Sequence, residues 1–485
     1  MNILKPTISK AVAIAAGILL LVACDDFGSL NVDPNNPSQV RTELLLTNVQ
    51  RDLSSVSGAV IGNLWVQYMA ETQYDDDSRY STTTSNFNGW YTGPLMDLQT
   101  IIDLNTNEET RDDALSGGSN NNQLAVARIL KAYYYHMMTD RWGMLPYSDA
   151  LQGSENFSPS YDSQEAIYLD IINELNEAVD QMDGGAGVNG DIIFNGDMDA
   201  WAIFANSIRA RVALRMADTN QSGLAATEFA DAINSGVITE DVMYPHLAEA
   251  ANQNPWFARF ITRTDYALSD VLADYMIDLD DHRVLRYGDP APDFYTEGEE
   301  ITFDNIRGMP YSVENPGDIT NASISFPGMA IRAQDAPLPI ITVSELHFAM
   351  AEAAERGWIS GDAETYYLDA IEASWNQWDV YDEGDFQNYV TNPEVAYDSG
   401  SWMEKIGTQK WVALYPNGYE AWAEWRRLGY PELEPHDFPL NQSGEIPRRQ
   451  AYPTSESQIN EENYDEAVSA QGPDTPDTRL WWDVN

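Results

Sequence analysis

The chain is short of three things at once. It has one cysteine in 485 residues, five histidines, and 26 lysines plus arginines against 77 carboxylates. A single thiol excludes a disulfide within the chain. The histidines, His136, His246, His282, His347 and His436, lie far apart with no i, i+4 pair, which argues against a zinc site. The formal charge of −51 excludes nucleic acid as a partner, because counter-ion release needs clustered cations. Lysine is the scarcest cation, present only as Lys5, Lys10, Lys131, Lys405 and Lys410. No nucleophile elbow, phosphate loop or dinucleotide fingerprint occurs. Beyond the N-terminal segment no stretch is apolar for 18 residues, so none reads as a membrane span.

What is present points to a folded body. A hydrophobic fraction of 43% with 11% aromatics is too rich for an acidic disordered chain, so the charge belongs on the surface of a globular protein. Such a surface repels itself, and salt relieves the repulsion by shortening the Debye length to about 3 Å at 1 M. The composition therefore fits a saline habitat, with an ordinary acidic secreted protein as the alternative.

The first 24 residues read MNILKPTISKAVAIAAGILLLVAC: two lysines, an apolar run from Ala11 to Ala23, then Cys24. The run has the length of a secretory h-region and is too short to span a bilayer. Leu21-Val22-Ala23-Cys24 resembles a bacterial lipobox, in which the thiol of the cysteine takes up the lipid. Residues 1–23 are thus expected to be a lipoprotein signal peptide and residues 24–41, rich in Asp, Asn and Pro, a lipidated tether. Cleavage removes Lys5 and Lys10, leaving 24 bases against 77 acids and no free thiol. Several acyl chains on Cys24 would anchor the protein stably, since one chain alone binds only marginally.

Helical periodicity dominates the rest. Val126, Ile129, Leu130, Tyr133, Tyr134 and Met137 follow the i, i+3, i+4, i+7 pattern. Tyr168, Ile171, Ile172, Leu175, Val179 and Met182 repeat it, entered through a capping box of Asp162 and Glu165. Trp201, Phe204, Ala205, Ile208, Val212 and Met216 form a third stripe. Leu346, Ala349, Met350 and Ala353 form a fourth that stops at Arg356-Gly357-Trp358, and Gly361-Asp362 opens a fifth with Tyr366, Tyr367, Ala370, Ile371 and Ser374. Helices of this length joined by short Gly/Asp turns predict stacked helical hairpins of tetratricopeptide type, without the strict 34-residue consensus. Between about 286 and 340 the period vanishes into turn-forming sequence, read as a ligand-binding loop face or as plain insertion. Arg209, Arg211 and Arg215, at i, i+2 and i+6, cannot form one anion pocket and are read as ion-pairing to neighbouring helices. Trp422 and Trp425 are read as core, and Arg426 and Arg427 as candidates for neutralising a buried carboxylate.

Residues LNVDPNNPSQV, ARILKAYYYHMMTDRWGMLPYSDAL (127–151), YDSQEAIYLDIINEL (161–175), DIIFNGDMDAWAIFANSIRARVALRM (191–216), SELHFAMAEAAERGWISGDAETYYLDAIEAS (344–374), IGTQKWVALYPNGYEAWAEWRRLGYPEL (406–433) and IPRRQAYPTSESQINEENY (446–464) resemble, in order and spacing, blocks of the SusD/RagB family of outer-membrane nutrient-binding lipoproteins, in its SusD-like branch. The resemblance implies an all-α fold: residues 42–485 form one SusD-like domain in which four tetratricopeptide-like hairpins carry a variable loop face. It implies a lipid-anchored, surface-exposed outer-membrane protein without enzymatic activity. Such a protein binds an oligosaccharide or peptide nutrient and passes it to a SusC-like TonB-dependent transporter. Gly143-Met144-Leu145-Pro146-Tyr147 departs mildly from the family pattern, which more often has an acidic residue before Ile-Pro-Tyr.

A sugar site needs a flat aromatic face flanked by planar hydrogen-bonding groups. The best such cluster is Tyr74, Asp76, Arg79 and Tyr80, followed after a polar loop by Asn88, Trp90 and Tyr91. The opposing reading is that Trp90 and Tyr91 pack a helix start. The family resemblance adds a mid-chain loop, here Phe294, Tyr295 and Tyr311. No cofactor is called for. Asp75-Asp76-Asp77 and Asp278, Asp280 and Asp281 are read as solvated faces, calcium being possible in principle without EF-hand spacing. Two other functions stay open, a secreted glycan-cleaving enzyme using a carboxylate pair, and a scaffold that binds only protein.

Overall fold

Each apolar stripe becomes one wall of a helix pair in the computed structural model, which describes residues 40–81 and 84–484. The signal segment, Cys24 and nearly all of the tether lie outside the described residues. Helices of ten or more residues are α1 Thr42–Arg51, α2 Met96–Thr106, α3 Asn120–Trp142, α4 Gln164–Gln181, α5 Met198–Arg215, α6 Ser222–Ser235, α7 Val343–Glu355, α8 Ala363–Gln377, α9 Trp402–Ala413, α10 Gly418–Leu428 and α11 Glu461–Gln471. Four hairpins pair α3 with α4, α5 with α6, α7 with α8 and α9 with α10. The fold is all-α, as expected. Among the described residues three two-stranded antiparallel ribbons decorate it: β1 (Met69–Glu71) with β5 (Tyr266–Leu268), β2 (Leu145–Pro146) with β3 (Tyr161–Asp162), and β4 (Val242–Tyr244) with β6 (Leu338–Ile341). Thr42–Asn485 gathers into one compact unit.

The helix ends follow local chemistry. The Ser119, Asp197 and Asp362 side chains accept from backbone N–H groups at the starts of α3, α5 and α8, satisfying donors that have no partner inside the helix. At α4 the cap is Ser163, one residue later than expected, accepting from the Ala166 N–H. Asp162 sits instead in β3, and its carboxylate takes the Ser148 N–H at 2.8 Å. At one contact between helices the backbones nearly touch: a Cβ on Gly418 would lie 2.1 Å from the Asn63 nitrogen, so only glycine fits.

Buried charge holds the hairpins in register. Arg215 is fully buried, 3.2 Å from Asp140 and 2.5 Å from Glu420, and it also meets Glu424. Arg211 forms a fork onto Glu345 at 2.5 and 2.7 Å. Arg427 reaches Glu352 at 2.5 and 2.6 Å and Glu424 at 2.7 Å, and Lys410 joins Glu424 at 2.8 Å. Burial alone would raise the pKa of Glu420, but Arg215 and Arg211 outweigh it and hold the carboxyl at about 2. Arg209 pairs with Glu228, so all three arginines of α5 pair with a neighbouring element. Arg426 behaves differently. Its guanidinium lies 3.5 Å from the Trp422 ring centroid and donates to the carbonyls of Asp140 and Arg448 rather than to a carboxylate. Burial lowers its pKa to about 9. Trp422 is core, while Trp425 is only partly buried, its Nε1 donating to the Pro431 carbonyl.

Candidate functional site

Pairing of β1 with β5 brings together two loops almost 200 residues apart in sequence. Thr72 donates its backbone N–H to the Asp265 carbonyl at 2.8 Å and its hydroxyl to the Thr264 carbonyl at 2.6 Å, so the start of the 72–81 turn lies against residues 263–265. The turn is held from within. Glu71, buried at the end of β1, accepts from the Ser78 N–H and hydroxyl at 2.8 and 2.9 Å. Burial pushes its carboxyl up to about 8 despite those bonds, with Asp77 and Asp75 adding to the rise. Amides of Arg79, Tyr80 and Ser81 close back onto the carbonyls of Asp75, Asp77 and Asp76.

This turn forces Tyr74 and Tyr80 into the left-handed backbone region, with φ of +55° and +67°. Non-glycine residues pay for such angles, and they persist where surrounding contacts impose them, often at binding sites. The two tyrosines then diverge. Tyr74 is 71% exposed, and its ring has the Arg263 guanidinium 5.0 Å from its centroid. Arg263 is oriented by Asp265 at 2.7 Å. Tyr80 is fully buried, its hydroxyl accepting from the His436 N–H. Tyr311 is buried beside it, donating toward the carbonyls of Leu64 and Ser78. Tyr80 and Tyr311 are therefore the floor beneath the loop and do not reach a surface ligand.

Asp76 is exposed at the loop tip. Arg79 is half-buried and committed, donating to the Phe438 carbonyl at 2.6 Å and to Asp75 at 3.2 Å. The other candidates lie in two further groups. Phe294 is exposed with the Arg307 guanidinium 4.6 Å from its ring centroid, and Tyr295 donates to the Glu299 carbonyl at 3.1 Å. Trp90 packs against Tyr134, and Tyr91 donates to the Pro146 carbonyl at 2.6 Å, so both brace the start of α2. Asn88 and Tyr91 line a separate cleft. Arg263, Asp265 and the exposed Asn321, which donates to the Thr264 hydroxyl at 2.7 Å, were missed by sequence reasoning. In so base-poor a chain, the run ARFITRTD was the one signal that could have flagged the first two.

The aspartate clusters also separate. Asp281 is fully buried and pairs with Arg283 at 2.6 Å, so it does not lie on a solvated face. Among the described residues no group of three His, Cys, Asp or Glu converges for a metal, and no helix is long and apolar enough to cross a membrane. The carboxylates between the hairpins, Asp140, Glu345, Glu352, Glu420 and Glu424, are paired with guanidinium groups, and the void beside Asp140 and Glu420 is about 20 Å³, room for a water and not for a sugar.

A hairpin frame that presents an exposed tyrosine beside polar groups places the chain in the class of helical-repeat folds. The comparisons narrow the class. A family model described as "Starch-binding associating with outer membrane" matches residues 34–453, and the chain belongs to this SusD-like family. Among solved structures it is similar to a chitin-binding protein at 28% identity and TM-score 0.78, covering 92% of this chain and all of the other. It is similar to a SusD homolog from Bacteroides fragilis at 27% identity and TM-score 0.78, covering 92% and 99% of the two chains. It also resembles a chitin-binding SusD homolog from Flavobacterium johnsoniae at 25% identity and TM-score 0.75, covering 91% and 97%. No protein of curated function matches.

Proposed function

We propose that the protein binds a glycan at the Tyr74 loop and hands it to a SusC-like TonB-dependent transporter, while acyl chains on Cys24 hold it at the outer surface of the outer membrane. The supporting observation is the exposure of Tyr74 on a backbone that costs energy to maintain. A pyranose ring stacks its C–H face on an aromatic ring, and the nearby Arg263, Asp265, Asp76 and Asn321 supply donors and acceptors for hydroxyls. The two chitin-binding relatives and the family description make polymers of N-acetylglucosamine and of glucose the first ligands to try.

The test is calorimetric titration with chitohexaose and maltoheptaose. Tyr74→Ala should weaken binding about tenfold or more, the loss expected when a stacking face is removed. Unchanged affinity in that variant would remove the Tyr74 site. Steady release of reducing ends would instead favour the glycan-cleaving enzyme. Replacing Cys24 by serine should move the protein from the membrane fraction to the soluble fraction of its host.

A further inference from the structure

The cleft lined by Asn88 and Tyr91 is separate from the Tyr74 loop in its lining residues and differs in chemistry. Its volume is about 550 Å³. The start of α2, residues 146–160 and the segment leading into α11 form its walls, which are stitched together. Asn460 donates to the Pro159 carbonyl at 2.9 Å, Asn463 to that of Ser158 at 3.0 Å, and the Tyr161 hydroxyl to Glu456 at 2.7 Å. Tyr91 and Leu151 are partly buried in it, whereas Phe157 and Ile459 are 80% and 65% exposed at its edge. Large apolar side chains that far out of contact, next to a formed concavity, mark a surface that something covers. A small molecule in the cleft would leave that edge wet. Covering Phe157 and Ile459 needs an occupant with surface of its own.

The sign of that occupant's charge follows from what the walls lack. None of the residues that line the cleft, drawn from 87–96, 146–159 and 456–460, is a lysine, arginine or histidine. Glu456 is one of them, and Asp149, Glu155, Glu461 and Glu462 stand within two residues of lining residues in sequence. An acidic segment would meet uncompensated like charge, whereas a basic one meets complementary charge.

We propose that this cleft docks a segment of a partner protein carrying a large apolar side chain between lysines or arginines. The apolar group enters beside Tyr91 and Leu151 under Phe157, and its flanking cations face the carboxylates. This assignment is independent of the glycan reading, because it uses none of the Tyr74 loop.

The test uses the full chain and a fluorescent five-residue peptide alternating lysine and phenylalanine, with both ends blocked, followed by anisotropy at low and high salt. Binding is expected to weaken about tenfold or more in Phe157→Ala, as for an interface anchor, and to weaken with salt. Leu247→Ala, an exposed leucine elsewhere, is expected to bind normally. Equal binding of a lysine/serine peptide would reduce the effect to bulk charge and overturn the proposal. Equal binding of a glutamate/phenylalanine peptide, an unchanged Phe157→Ala, or displacement of the peptide by chitohexaose would each overturn it as well. Tyr74→Ala, which tests the glycan reading, should leave peptide binding intact.

Discussion

Two regions of this molecule use arginine, carboxylate and aromatic groups in opposite ways. Between the hairpins, Arg211, Arg215 and Arg427 are buried and their charge is consumed by Glu345, Glu420, Glu424 and Glu352. On the loop face, Arg263 and Asp265 are paired at the surface beside an exposed ring. Burial raises the energetic stake of each charge, so in the frame a guanidinium acts as a register pin. In water the same group contributes little to stability and stays available to a ligand. Chemistry alone therefore does not tell a structural arginine from a functional one; solvent access does.

The comparison breaks most severely if the frame charge is removed. Arg215→Met strands Asp140, Glu420 and Glu424 without one of their cations, and should cost on the order of 3–5 kcal/mol in urea unfolding. A loss below about 1 kcal/mol would show that the cluster is not the pin described. Next comes Gly418→Ala, where the new methyl meets the backbone of residues 62 and 63; overpacking of that kind costs about 1–3 kcal/mol, read from the thermal midpoint.

A smaller effect acts on the loop face through pH. The Glu71 carboxyl titrates near 8 in the folded chain and near its ordinary 4.5 when unfolded. The folded state thus binds more protons between those values, and stability contributed by the protonated form is complete below about 4.5 and lost as pH rises through about 8. Amides of residues 78–81 should exchange faster at pH 8.5 than at pH 5.5, after correction for intrinsic rates. Glu71→Gln should flatten that difference, which is worth at least about 1.4 kcal/mol if one pKa unit is expressed. A profile with the same slope in the variant would mean that Glu71 is not the titrating group. The smallest effect on stability is expected of Tyr74→Ala, within about 0.5 kcal/mol because the ring is exposed, although glycan affinity should fall. A large loss of stability there would make Tyr74 a frame residue.

Much of the frame was readable because helical packing leaves a local trace. The stripes from Val126 to Met137 and from Trp201 to Val212 lie on α3 and α5, with Met216 capping α5, and the stop at Gly357 and the restart at Asp362 fall where α7 ends and α8 begins. The Asp162 cap slipped by one residue because Ser163 offers the same chemistry and Asp162 had a second use across the β2–β3 ribbon. The loop face was legible only as composition. Tyr74 and Tyr80 look alike in sequence, six residues apart in one polar run, yet one is 71% exposed and the other is fully buried. Arg79 has the fork expected of a sugar-binding group but donates it to Phe438 and Asp75.

Sequence by itself determined the hairpins, their apolar faces and the acidic surface, since each depends on residues within a few turns of one another or on composition alone. Only the tertiary structure decided which tyrosine faces water, that Arg263 stands beside Tyr74, and that three segments without bases meet around one cleft. Those facts depend on contacts between residues tens to hundreds of positions apart. Such contacts are set by how the whole core closes, which no local pattern encodes.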